Sequence, residues 1–371
     1  SIIPLDDYMA ADGITADMYV PDEFVGNVYN GQTWMLPNPT GGGVGLAWYN
    51  MQHLADAGIE SFPETWDELK EAGMALRIGA DGFLDRVGVN VNATNFVVWL
   101  SANGHNWISD DLRTVTINNQ AGIETLEFIR SFTDDINFGI EEVSSFYEMT
   151  GEFDQTPFIL GFDSIQISGS WQLFQFESHG TPEVFGDDGE GNLGFAVAPI
   201  PYGPSGSPDR RGPIWGGWGF MIPQNAAHPD EAWELVKWMT AQIDSNVELE
   251  LDYDDDGELI GVGDVNGDGE TTTRMVGGAC WFLQQQQRPS PLVDCEGYAK
   301  EGVTHRMAED ILAVVAQDNV IPVSPVQPEA DSILRRMTDE VLFGEKSVEQ
   351  ALADAEAEIQ ALLDTFWAEY G

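Results

Sequence analysis

Two periodicities share the chain. Some stretches carry apolar residues three and four apart, and others are short apolar runs bounded by glycine, proline or asparagine. The first pattern reads as amphipathic helix and the second as strand, and their alternation predicts an α/β fold. Thr65-Trp66-Asp67-Glu68 places a hydroxyl and a carboxylate where each can take a free amide of a first helical turn. A helix is therefore expected from there to about Leu76. His228-Pro229-Asp230-Glu231 opens another, with Pro229 in the first turn, where a missing N–H is tolerated. Its expected buried stripe is Ala232, Leu235, Val236, Met239 and Ile243. The last helix starts at Ser347, capped with Gln350, and turns Ala351, Leu352, Ala355, Ile359, Leu362, Leu363 and Phe366 inward. Strands are expected at Gln32 to Leu36, Arg86 to Asn90, Ser164 to Ile167, Leu193 to Val197 and Gly219 to Ile222. Glycine clusters at Gly41-Gly42-Gly43 and Trp215-Gly216-Gly217-Trp218-Gly219 separate α/β stretches and are candidate hinges. The acidic segment from Leu249 to Val276 has no helical period and reads as an insertion.

A length of 371 residues exceeds one typical core and implies two or three lobes. No apolar run approaches the ~20 residues that cross a bilayer. The opening Ser1-Ile2-Ile3-Pro4-Leu5-Asp6-Asp7 lacks the basic start and cleavage site of a signal peptide. Charge changes the picture more than size does. With 63 acidic against 15 basic residues, the net charge is −48. Such a surface repels phosphate, which argues against nucleic acid and anionic membranes as partners. Its self-repulsion calls for screening, and the Debye length falls from ~10 Å at 0.1 M salt to ~3 Å at 1 M. A saline or divalent-rich exterior is the expected setting.

Catalytic signatures are missing: no P-loop, no G-x-S-x-G, no H-E-x-x-H and no C-x-x-C. The histidines, His53, His105, His179, His228 and His305, have no ligand spacing. Among so many carboxylates a chance acid pair is certain to occur, so none counts as a glycosidase signature. Tryptophans say more. Trp233, Trp238 and Trp367 belong to apolar stripes, whereas Trp107, Trp171, Trp215 and Trp218 stand at element boundaries, where pockets form. An indole face suits the C–H face of a sugar ring, and neighbouring amides suit its hydroxyls. For each tryptophan taken singly, a purely structural role is equally compatible with the sequence.

Six segments in order resemble the family 1 extracellular solute-binding proteins of ABC importers, the group that includes maltose-binding protein. They are Tyr29 to Pro37; Trp48-Tyr49-Asn50 with Leu54 to Ile59 and Thr65 to Leu69; Ile167-Ser168-Gly169-Ser170-Trp171; Gly194 to Pro201 followed by Gly216 to Gly219; Asn225 to Trp238; and Gly344 to Leu352. The resemblance implies a two-lobed, periplasmic-binding-protein-like α/β fold with hinge crossings. The first lobe would hold 1–42 and 216–320, including the 249–276 insertion. The second would hold 43–215, with helices of 321–371 packing on it. The family's opening strands would lie upstream of Ser1, leaving the first lobe partial.

By the same resemblance, Trp171 matches a stacking tryptophan, while Asn38 and Thr40 match cleft-facing positions. Gly217 and Trp218 match the lining crossing segment, beside Trp215; the Asn92 to Asn95 turn, with Asn95, and Gln327 match more weakly. The implied protein is a non-enzymatic monomer, extracellular, periplasmic or surface-anchored, with a carbohydrate ligand and importer membrane subunits as partners. Cys280 and Cys295 bracket a segment of about 15 residues, and an exported protein would pair them, a link worth roughly 3 kcal/mol.

The insertion carries a separate pattern. Asp252, Asp254 and Asp256 with Gly257 and Glu258 form D-x-D-x-D-G. Asp264, Asn266 and Asp268 with Gly269 and Glu270 repeat it as D-x-N-x-D-G. Alternate oxygen ligands around a glycine turn suit a structural Ca2+. The acid expected at position 12 is replaced by Gly263 and Met275; the motif resembles dockerin and thrombospondin-type calcium repeats, which also vary at that end. A solvated acidic hairpin is the competing reading. A carbohydrate-active enzyme, and a calcium-dependent adhesive module, stand as alternative functions.

Overall fold

The computed structural model describes residues 2–19, 24, 26–37, 45–91, 96–150, 156–211, 214–215, 219–240, 247–253, 259–267, 269–276, 307, 310–311 and 320–370. In chain order these form helix α1 (Asp6–Asp12) and short strands β1 (Val28–Tyr29), β2 (Gln32–Thr33) and β3 (Leu36–Pro37). Then follow β4 (Leu46–Asn50), α2 (Met51–Asp56), α3 (Trp66–Leu76), β5 (Ile78–Ala80), β6 (Phe83–Asn90) and α4 (Phe96–Ala102). Next come α5 (Gln120–Ser131), α6 (Ile140–Thr150), β7 (Asp163–Ser168), α7 (Gln172–His179), α8 (Pro182–Phe185) and β8 (Phe195–Pro199). The chain continues through β9 (Ile214–Trp215), β10 (Gly219–Phe220), α9 (Pro229–Thr240), β11 (Val247–Tyr253), β12 (Leu259–Val262) and β13 (Thr272–Val276). It ends with β14 (Val320–Ile321), α10 (Gln327–Leu342) and α11 (Val348–Tyr370).

Two compact units divide the chain: Ser1–Gly41 with Gly217–His305, and Gly42–Gly216 with Arg306–Gly371. The larger unit is built on a five-stranded sheet, in the order β5-β6-β7-β4-β8. Strands β6 and β7 run parallel, while β4 is antiparallel to both β7 and β8. Helix α3 lies against β6 through two glycines: a Cβ on Gly88 would stand 2.2 Å from the Gly73 carbonyl oxygen. The predicted capping box starts α3. Thr65 Oγ1 accepts from the Glu68 amide, and the Glu68 carboxylate accepts from the Thr65 amide. Beyond the helix start, Trp66 stacks on Phe128 with centroids 4.0 Å apart. Helices α10 and α11 join this core through Ile333, Leu334, Met337, Leu352, Ile359 and Leu363.

In the smaller unit, Leu5, just before α1, and Met9 within it pack with Leu36, Ile222, Trp233 and Val236. The insertion forms its own antiparallel sheet, in the order β12-β11-β13.

Four expectations need correction. The stretch Gln32 to Leu36 is two short strands, because Trp34 turns back to donate its amide to Asn27 O and its indole N–H to Tyr29 O. Helix α9 buries Trp233, Val236, Lys237 and Thr240, leaving Leu235 57% exposed. Asp12 sets that phase, accepting from the Trp233 indole at 2.6 Å and pairing with Lys237 at 3.1 Å. The chain rejoins the larger unit at Arg306, before the expected residue 321, because Met307 and Ile311 pack in the cluster around Trp48 and Phe158. Trp107 is a core residue, 1% exposed, with its indole N–H donated to Pro322 O.

Candidate functional site

The turn from β7 to α7 carries the best-placed of the predicted site residues. Two central strands bring it there: Leu46 of β4 pairs with Ser168, the last residue of β7. The buried indole of Trp48 donates to Gly169 O at 3.2 Å and so anchors the turn from below. Phe176 of α7 packs edge-on to Trp48 with centroids 5.3 Å apart. Above this support, the half-buried Trp171 lays its ring across Gly169. A Cβ at Gly169 would stand 1.9 Å from a ring carbon, so glycine is what lets the ring lie there. The next residue, Gln172, is 8% exposed, and its Oε1 meets no donor among the described residues.

Other predicted positions fall differently. Asn38, Thr40, Asn95, Gly217 and Trp218 lie outside the described residues, as do Cys280 and Cys295. The backbone of Trp215 is in β9, paired in parallel with Ile321. Gln327 accepts from the Ser324 amide at 2.9 Å and donates to Asp331 at 2.7 Å, a local role at the start of α10 that engages both ends of its amide.

Polar groups that no motif announced lie within the same sheet. Asp163 at the start of β7 is fully buried and accepts from Asn90 Nδ2 and from the Tyr147 hydroxyl, both at 2.9 Å. Burial pushes its carboxyl up to about 7, against the pull of those two donors. The neighbouring Ser164 meets His53 Nδ1 at 3.0 Å. Burial, helped by nearby Arg86, holds that imidazole down at about 4, so it is neutral at pH 7. The only sequence signal for either group was a polar pair inside an apolar strand. Elsewhere in this unit a groove of about 550 Å3 is lined by Phe62 and the carboxylates of Glu60, Glu64, Glu68 and Glu71, and Trp171 is not part of it.

Residues 2–242 match the family model of the bacterial extracellular solute-binding proteins. The chain belongs to that family. The match to this solute-binding protein stops just before β11, so the acidic sheet lies outside it. A relative from Deinococcus radiodurans, a "Probable ABC transporter-binding protein", is 23% identical over 210 residues, 53% of this chain and 45% of its own. The chain thus spans under half the length of that curated relative. Among solved structures, CpMnBP1 with mannotriose bound has a TM-score of 0.70 at 19% identity, over 96% of this chain and 80% of its own. The ABC substrate-binding protein Lmo0181 from Listeria monocytogenes, in complex with cycloalternan, gives 0.71 at 14% identity, over 98% and 80%. These likenesses establish the solute-binding protein's fold.

Proposed function

We propose that this protein binds a carbohydrate outside the cell and delivers it unaltered to the membrane subunits of an ABC-type importer. The observation that carries the reading is the Trp171 ring, half-buried and packed close against Gly169 at the β7–α7 turn. A rigid, partly solvated indole is a platform for a sugar's apolar face. Family membership supplies the transport context, and two structural neighbours hold oligosaccharides, mannotriose in one and cycloalternan in the other. Asn38, Thr40, Asn95, Trp215 and Trp218 would complete the contacts, with Gly217 keeping the lining thin. Sugar bound by both units would favour a closed form over an open one, with the glycine breaks near Gly41 and Gly216 as hinges. Asp163, whose carboxyl is raised toward neutrality, is fully buried and offers no route for general acid catalysis on a sugar.

A panel of mono- and oligosaccharides read by thermal shift tests this, with each positive followed by calorimetry and chromatography of the recovered ligand. Saturable one-to-one binding with the sugar recovered intact is expected. Cleaved product, or no stabilisation by any sugar, would overturn the reading.

A further inference from the structure

We propose that Gln172 is a sugar-binding residue whose side-chain amide takes a hydroxyl of the ring stacked on Trp171, a role that rests on the carbohydrate reading above and adds selectivity to it. Gln172 is the first residue of α7 and directly follows Trp171. One carbonyl ties the two together. Gly169 O accepts from the buried Trp48 indole at 3.2 Å and from the Gln172 backbone amide at 3.3 Å, and the Trp171 ring packs against the same glycine. Leu173 and Phe176, both 0% exposed, fix the helix that follows. The stacking ring and the amide are therefore held by one rigid turn.

That side-chain amide is unpaired. Gln172 is 8% exposed, its Oε1 is buried without a donor, and among the described residues nothing meets its Nε2. Gln327 and Gln360, by contrast, each engage both ends of the amide. A side-chain amide has two donor hydrogens and an accepting oxygen, and burying it unpaired costs free energy that a methionine or leucine in its place would not. Folding alone gives no reason for glutamine at this position. A ligand does. The terminal amide torsion is soft, so oxygen and NH2 exchange places at little cost and either can meet a hydroxyl. A sugar whose apolar face lies on an indole turns its hydroxyls to the rim, toward the groups that flank the platform.

The expected calcium loops do not compete with this site. Asp252 stands in strand β11, opposite Gly261, and accepts from the amides of Val265 and Asn266 instead of opening a loop of its own. Asp254, Asp256, Glu258 and Asp268 lie outside the described residues. Among the described residues no three carboxylates, imidazoles or thiols come together to hold a metal ion.

Calorimetry of the full chain with the tightest-binding sugar of the panel and each of its mono-deoxy analogues tests the proposal, on wild type and on Gln172→Met. In the wild type at least one analogue should bind roughly tenfold or more weaker than the parent sugar, because it leaves the amide unpaired. In Gln172→Met the parent sugar should lose a similar factor, and that analogue should bind as well as the parent does. A purely structural role would weaken parent and analogue alike and leave the gap between them open. Free of sugar, Gln172→Met should melt at or above the wild-type temperature. Circular dichroism checks folding, and Gln172→Leu serves should methionine fail. A folded variant with wild-type affinity, or with every parent–analogue gap intact, would overturn the role of Gln172; loss of binding in Trp171→Ala would then leave the carbohydrate reading standing. No sugar bound by the wild type would overturn both. Unfolding of both variants would make the amide structural and overturn the proposal.

Discussion

Trp171 and Asp163 occupy the two ends of one strand segment and do different work. Trp171 follows β7, and its ring is positioned by Gly169 below it and by the Trp48 anchor. Replacing it with alanine removes a central stacking surface while leaving that anchor in place. Trp171→Ala should therefore cost about 2 kcal/mol of sugar affinity, roughly 30-fold, with little change in melting temperature. Calorimetry of the variant checks this, and unchanged affinity would remove Trp171 from the site. Asp163 begins β7, and its contribution is to stability. Its carboxyl titrates near 7 when folded and 3.8 when not, so between those pH values the folded state holds more protons than the unfolded one. Stability from this group is then fully present below 3.8 and is lost as pH rises through 7. Asp163→Asn abolishes that dependence. The stability difference between wild type and Asp163→Asn, from urea unfolding, should be more favourable to wild type at pH 5 than at pH 8. Equal differences at the two pH values would contradict the assignment.

Among the elements, α3 shows how far local chemistry reaches. Its start was legible because Thr65 and Glu68 are both needed, at that spacing, to take each other's amides. Thr65→Ala should lower unfolding free energy by about 1 kcal/mol and leave sugar affinity unaltered. Denaturant titration and calorimetry on the same variant separate the two, and an undiminished stability would mean the box contributes nothing. Helix α9 marks the limit of such reading. Its bounds follow from Pro229, but its phase does not follow from its apolar residues, because Lys237 is drawn inward by an ion pair with Asp12, 225 positions earlier in the sequence. The Asp163 cluster was illegible for the same reason, since Asn90 and Tyr147 meet it only through the sheet and a distant helix. Trp107 and Trp171 looked alike as boundary tryptophans. They differ in whether the carbonyl of Pro322 arrives to bury the ring, a tertiary fact that spacing cannot encode.

At the scale of the whole molecule, two compact units exchange the chain three times: at Gly41–Gly42 and Gly216–Gly217, inside the two glycine clusters, and at His305–Arg306. Glycine absorbs large dihedral changes at little steric cost, which suits a crossing that must bend. A binding protein for transport has to signal occupancy through its shape, and a ligand can do so only by holding one arrangement more tightly than another. A rigid lectin has no such requirement. Small-angle scattering of the full chain, with and without a saturating sugar identified by calorimetry, measures that difference directly. A smaller radius of gyration with sugar than without is expected. An unchanged scattering profile, with binding confirmed in the same sample, would contradict it.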